Sequence, residues 1–273
     1  MSAEGESGIL YVVATPIGNL EDITYRAVRI LGEADWIACE DTRHSRKLLD
    51  HYGIHRPTLS YYRENEAARS AELLQKLRTG AKVALISDAG TPLLSDPGQR
   101  LVQAALDIGL RVIPIPGPSA ALTALMAGGV GEPVALLGFL PARGGERRRF
   151  LQHWVAWPGA FVIFEAPHRL AAALADLEEV LGGERLCTLA RELTKVHEEF
   201  TRGTLRALRA ELAARTAPPR GEFTLVLAPG PAPKPIPASS RPPLSRDQLK
   251  KMARERGVTR SALFRAWQEG RVE

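Results

Sequence analysis

Residues 83–98 read Val-Ala-Leu-Ile-Ser-Asp-Ala-Gly-Thr-Pro-Leu-Leu-Ser-Asp-Pro-Gly. The apolar, β-prone run Val83 to Ile86 breaks into a loop of small residues, Asp and Pro. From Gln99 onward apolar positions recur at helical spacing through Leu101, Val102, Ala105 and Leu106. The loop is therefore a strand-to-helix turn. By itself such a turn is an ordinary βα connection capped by Ser95 or Asp96. Two further turns change that reading. The strand Leu10 to Ala14 ends in Thr15-Pro16-Ile17-Gly18-Asn19-Leu20, and the strand Arg111 to Ile115 ends in Pro116-Gly117-Pro118-Ser119-Ala120-Ala121. In open α/β sheets ligands dock beyond the carboxyl ends of strands, and small side chains let backbone donors approach them. Three such turns predict one shared, ligand-binding crevice. None ends in the Gly-Lys-Ser/Thr of a P-loop, and no Gly-x-Gly-x-x-Gly occurs in the chain, which argues against simple nucleoside triphosphate or NAD chemistry.

Outward from these turns, Trp36 to Cys39 and Thr58 to Tyr61 read as further strands alternating with helical stretches, the pattern of a parallel sheet covered on both faces. A second region carries strands at Pro133 to Leu137, Phe161 to Phe164, Leu186 to Leu189 and Glu222 to Leu227, and a helix at Leu170 to Leu181. The expected organisation is an α/β domain over 1–117, a second over 118–228, a Pro-rich linker over 229–244 and a basic helix-turn-helix-like tail over 245–273. Seven prolines between Ala228 and Leu244 make that linker stiff and extended. In the tail, Leu249, Met252 and Ala253 face inward on one short helix. Gly257 breaks it, and Thr259 or Ser261 caps a second helix carrying Leu263, Phe264 and Trp267.

At 273 residues, 45% hydrophobic and 25% charged, the chain has the composition of a soluble globular protein. No apolar run reaches the length of a membrane span, and Met1 to Gly8 is acidic and polar, so a cytoplasmic location is expected. Cys39 and Cys187 are too few for a disulfide framework and sit among apolar residues, as core residues do. His197-Glu198-Glu199 lacks the second histidine of a zinc helix, and no metal is expected. Residues 241–273 hold nine Lys/Arg against four Asp/Glu, whereas the first 240 are balanced at 27 against 27, so the tail carries the whole +5. Its Arg246, Lys250, Lys251, Arg254, Arg256, Arg260 and Arg265 suit either a solvated amphipathic hairpin or a phosphate-contacting arm. Arg143-Gly-Gly-Glu-Arg147-Arg148-Arg149 is a second basic cluster that reads either as a flexible, solvated loop or, slightly favoured, as a contact to RNA backbone near the cleft.

Leu10 to Thr24, Glu40-Asp-Thr-Arg43, Ser87-Asp-Ala-Gly-Thr-Pro92, Pro116-Gly-Pro-Ser119 and Ala190-Arg-Glu-Leu-Thr-Lys195, in this order and spacing, resemble the bacterial ribosomal RNA small-subunit methyltransferase I family of the tetrapyrrole-methylase-like superfamily. The match runs from Leu10 to about Leu227. The resemblance implies two α/β domains with S-adenosylmethionine in the cleft between them. It also implies methyl transfer to the ribose 2′-hydroxyl of a cytidine in the decoding region of 16S ribosomal RNA, as free RNA or in the small subunit, by a homodimer. Carried over by position, Pro16, Ala89, Gly90, Thr91, Leu94, Ser119, Ala120 and Leu193 fall at cofactor contacts, as does Glu165.

A ribose hydroxyl attacks only as its proton leaves, so a base is wanted, and Glu165, Glu192 and Lys195 follow strand ends that can face the cleft. Asp41, Arg43, Arg169 and Arg191 are candidates for holding the RNA, the arginines through phosphate. Taken singly, each of these charges also suits a surface ion pair. Two other readings compete: a tetrapyrrole methyltransferase, which the cofactor turns alone do not distinguish, and a DNA-binding regulator that senses S-adenosylmethionine.

Overall fold

The structure, a computed structural model, describes residues 8–230 and 246–268. Most of the Pro-rich stretch read as a linker lies outside the described residues, as does the side chain of Trp267. The chain forms two compact units, Met1–Gly230 and Pro231–Glu273.

The first sheet of the larger unit contains β1 (Ile9–Val13), β2 (Trp36–Cys39), β3 (Thr58–Ser60), β4 (Lys82–Ile86) and β5 (Arg111–Ile115), all parallel, in the order β3-β2-β4-β1-β5. Helices α1 (Tyr25–Glu33), α2 (Thr42–His51), α3 (Glu66–Arg78) and α4 (Gln99–Asp107) make the crossovers. The pleat sends alternate residues to opposite faces. Val13, Ala84 and Ile86 pack with Ala27, Ile30 and Leu31 of α1 and Leu49 of α2. Leu10, Val83 and Leu85 pack with Leu73 and Leu77 of α3 and Leu101 of α4. Both faces are thus buried, which explains the near-continuous apolar strands. Register pairs Val13 with Ile86, so β1 and β4 end side by side and release their turns at one place.

Helix α5 (Ala120–Gly128) follows β5 and crosses to the second sheet. Ser119 starts it, its hydroxyl accepting the Leu122 N–H at 3.5 Å. The second sheet contains β6 (Val134–Phe139), β7 (Ala160–Glu165), β8 (Leu186–Arg191), β9 (Glu199–Thr204) and β10 (Phe223–Leu227) in the order β6-β7-β10-β8-β9. Only β6 and β7 are parallel; the other pairs are antiparallel. One face packs Phe161, Ile163 and Leu225 against α6 (Gly144–Gln152), α7 (Leu170–Leu181) and α8 (Leu205–Ala214), through Leu151, Leu174 and Leu208. The other packs Val162, Ala190 and Val226 against Ala121 and Ala124 of α5. Gly128 is required here, because a Cβ would lie 2.9 Å from Val226. Cys39 and Cys187 are free and buried.

The basic stretch 143–149 is corrected by the structure: it is the start of α6, not a solvated loop. Arg147 is buried, its Nε donating to Asp176 Oδ2 at 2.6 Å, while Arg148 donates to Asp176 Oδ1 at 2.7 Å. These two arginines clamp α6 to α7. Strand β9 has no counterpart in the sequence reading.

In the smaller unit, α9 (Arg246–Glu255) and α10 (Arg260–Gln268) pack Leu249, Ala253 and Leu263 together with half-buried Met252. Gly257 takes φ +63°, and Thr259 Oγ1 accepts the Ala262 N–H at 3.3 Å, the break and the cap that the sequence predicts. Lys250, Lys251 and Arg254 are exposed.

Candidate functional site

The turns after β1 and β4 are tied together by the backbone. Thr15 and Gly90 exchange two hydrogen bonds, Thr15 N–H to Gly90 O at 2.9 Å and Gly90 N–H to Thr15 O at 3.0 Å. The Thr15 hydroxyl donates to Ser87 O at 3.1 Å and that of Ser87 to Gly90 O at 3.2 Å. The turn after β5 joins them, since Thr91 Oγ1 donates to Pro118 O at 3.1 Å. Gly90 sits at φ +79° with its Cα turned toward Ile17. Leu93 and Ser95 also take positive φ, at 73° and 74°. Such backbone is held only where surrounding contacts over-determine it. Gly98 N–H, donated to Glu66 Oε1 at 3.0 Å, closes the loop on α3.

These turns wall a cavity of about 430 Å³. Ala89, Gly90, Thr91 and Leu94 line one side, Ser119 and Ala120 another, while Glu165 comes from the end of β7 and Leu193 from the turn after β8. Pro16 lines an adjoining cavity of about 360 Å³ instead. Sequence reasoning missed Phe139, Phe164, Asp96 and Glu222, which also line the first cavity. Phe139 is turned there by a bulge in β6 at Gly138, whose φ is +65°. The Phe139 and Phe164 rings lie 5.8 Å apart, an apolar wall opposite the backbone-rich turns.

Glu165 is buried; its Oε1 accepts the Ala166 N–H at 3.0 Å and lies 3.1 Å from Arg169 Nε, while Oε2 has no hydrogen-bond partner among the described residues. Burial pushes its carboxyl above the ordinary carboxylate range, opposed by the Ala166 N–H and by the charge of Arg169. Glu192 and Lys195 form a different arrangement. Lys195 Nζ donates to Glu192 Oε1 and to Glu222 Oε2, each at 2.9 Å, and the Glu222 N–H donates to Glu192 Oε1 at 2.9 Å. Lys195 lines the adjoining cavity. Asp41 caps α2 by accepting the Arg43 N–H at 2.8 Å, which holds its carboxyl below the usual range. The Arg43 side chain is 92% exposed. Arg169 donates to Leu140 O beside Glu165. Arg191 is drawn elsewhere, donating to Arg220 O at 2.9 Å and Glu199 Oε2 at 3.1 Å, and lines neither cavity.

Burial and the nearby charge of Glu40 push the Asp96 carboxyl up to about 6, with Asp88 adding to the rise and a Ser87 hydrogen bond opposing it. A carboxyl raised in the folded state supplies stability below its ordinary pKa and loses it as pH rises through the folded value. Asp96→Asn is therefore expected to raise the thermal midpoint over wild type at pH 8, with the gain shrinking toward pH 5, where Asp96 is already protonated. Melts at both pH values measure this, and an equal change at both contradicts it.

The chain matches the family model described as Tetrapyrrole (Corrin/Porphyrin) Methylases over residues 9–209. It is 48% identical over 259 residues to a Synechocystis protein named ribosomal RNA small subunit methyltransferase I, covering 94% of this chain and 91% of that one. It is 52% identical over 224 residues to a Mesorhizobium japonicum protein of the same name, covering 82% and 76%. Among solved structures it is similar, at TM-score 0.56 and 19% identity over 82% of this chain and 97% of the other, to uroporphyrin-III C-methyltransferase from Thermus thermophilus complexed with S-adenosylhomocysteine.

Proposed function

Since the chain belongs to the tetrapyrrole methylase family and, within it, to the ribosomal RNA small subunit methyltransferase I proteins, we propose that it transfers a methyl group from S-adenosylmethionine to the ribose 2′-hydroxyl of a cytidine in the decoding region of 16S ribosomal RNA. The observation that carries the cofactor is the cavity itself. Its volume lies in the range of small-molecule sites, about 300–1,000 Å³. Its walls pair apolar rings with backbone donors and acceptors, and no cationic clamp is built into the turns. That suits a molecule with an adenine, a sulfonium and an amino-acid end. When bound, S-adenosylmethionine supplies a methyl made electrophilic by its sulfonium. Ala89, Gly90, Thr91, Leu94, Ser119, Ala120 and Leu193 hold it, with Pro16 at the edge.

What remains for the chain is to align the hydroxyl, exclude water and accept a proton. Glu165, Glu192 and Lys195 are the groups proposed for the proton. Glu165 is favoured, because its Oε2 is buried with no hydrogen-bond partner among the described residues and burial raises its affinity for a proton. Asp41, Arg43, Arg169 and Arg191 serve the RNA strand, and the exposed Lys250, Lys251 and Arg254 of the tail add phosphate contacts. No described helix is long and apolar enough to cross a membrane. The cytoplasm is proposed as the location on the ground that the proposed substrate, ribosomal RNA, is there. The functional particle is read as a homodimer. Leu122 and Met126 of α5 are 63% and 77% exposed, as is much of Phe139 on the edge strand β6, an apolar surface of the kind that pairs with its own copy. The domain limits 1–117 and 118–228 are proposed from the two sheets.

The test is transfer of labelled methyl from S-adenosylmethionine to purified small subunits, naked 16S RNA and a precorrin, side by side. Label in RNA ribose is expected; label in the tetrapyrrole alone overturns the reading. In the same assay Glu165→Gln is expected to lower the single-turnover rate on the order of 100-fold. A near-normal rate removes Glu165 from the role of base.

A further inference from the structure

The adjoining cavity of about 360 Å³ shares Ile17, Asp88, Ala89 and Glu222 with the first. Its other walls are unlike those of its neighbour. They include His44 and Lys47 of α2, together with Ser45 and Lys195. His44 and Lys47 are three residues apart and so lie on one face of the helix. Both are exposed, and neither makes an ion pair among the described residues. Lys195, by contrast, is neutralised by Glu192 and Glu222. At the shared wall, Asp88 Oδ1 accepts the Asp41 N–H at 3.1 Å, and its Oδ2 has no partner among the described residues. Ser45 Oγ is buried and has no hydrogen-bond partner among the described residues. One cavity is thus walled by rings and small-residue turns. The next has an uncommitted cation at its rim and an uncommitted carboxylate oxygen where the two meet.

We propose that the second cavity is the acceptor subsite: it receives one nucleotide of a single RNA strand, with a flanking phosphodiester on Lys47 and His44 and the ribose hydroxyl hydrogen-bonded to Asp88 at the shared wall. This rests on the methyltransferase reading above and adds to it where the acceptor lies. A ribose hydroxyl can donate to Asp88 Oδ2 and a phosphate can accept from Lys47 Nζ. The shared wall then sets the hydroxyl beside the first cavity, as alignment across one wall demands. Asp88 is a positioning residue here, with the proton acceptor as assigned above.

The experiment removes charge at Lys47 without disturbing α2. Lys47→Gln and His44→Gln/Lys47→Gln are compared with Lys82→Gln, which removes an equal charge at the start of β4, the end of the strand away from both cavities. Three quantities are measured on each: affinity for small-subunit RNA without cofactor, its salt dependence, and affinity for S-adenosylhomocysteine. The double variant is expected to bind RNA about tenfold more weakly, and Lys47→Gln to lower the log–log salt slope by about 0.7–0.9. S-adenosylhomocysteine affinity should stay within about twofold, and Lys82→Gln should match wild type in all three. Asp88→Asn should lower the rate at saturating RNA while leaving RNA affinity near wild type. If wild type methylates RNA and the Lys47 variants bind it with unchanged affinity and salt slope, the subsite is wrong and the function stands. If wild type transfers no methyl to small-subunit RNA, the function itself fails and the subsite with it.

Discussion

Replacing Asp176 by alanine is expected to destabilise the larger unit by about 3–5 kcal/mol, a fall in thermal midpoint of roughly 10 °C for a unit of this size. Asp176 receives Arg147 Nε at 2.6 Å and Arg148 Nη1 at 2.7 Å, and it is buried with Arg147. Removing the carboxylate strands the Arg147 guanidinium, which keeps only its contacts to Pro141 O and Ala142 O, both at 3.3 Å. A buried unpaired charge costs more than its ion pair contributed, because desolvation is no longer offset. Arg147→Met/Asp176→Leu, which removes both charges and keeps volume, should recover most of the loss. A single variant as stable as wild type contradicts the clamp. RNA affinity should be insensitive to Arg147→Met when the fold is intact, since this arginine does not reach solvent.

Gly90→Val is expected to weaken S-adenosylhomocysteine binding by about 100-fold or more, equivalent to about 2.7 kcal/mol, while the protein stays folded. Gly90 lies at φ +79°, where a β-branched residue is strained by roughly 1–3 kcal/mol. A Cβ there would sit 3.1 Å from Ile17 Cγ2. Relief requires moving either the Thr15–Gly90 bridge or Ile17, and both belong to the cavity wall. Calorimetric titration measures the affinity, and a melt confirms folding. Unchanged affinity would place the cofactor elsewhere.

The same contrast separates what the sequence made legible from what it did not. The Pro/Gly/Ser turns declare themselves locally, because strand-to-helix reversals under backbone constraint restrict the residues that fit. The alternation of strands and helices implies a parallel sheet; the order β3-β2-β4-β1-β5, which sets β1 between β4 and β5 and so brings the three turns together, is seen only in the structure. Arg147 is different. Its partner Asp176 is 29 residues away, and nothing around Arg147 distinguishes a buried clamp from a solvated cation. Phe139 was hidden for another reason: the sequence reading ends the strand at Leu137, whereas β6 runs on to Phe139 past a bulge that brings the ring to the cavity. Strand β9, Glu199-Phe-Thr-Arg-Gly-Thr204, is an edge strand whose charged residues blur the alternation that marks a half-buried strand. Asp96 lies within the stretch that decides the fold, yet its proximity to Glu40, which follows β2, exists only once β2 and β4 are paired.

Small subunits from cells lacking this protein, incubated with the purified chain and S-adenosylmethionine, should gain one methyl group, mapped by mass spectrometry of RNA fragments to the ribose of a decoding-region cytidine. A methyl on a base, a position outside the decoding region, or no gain by the RNA would contradict the account.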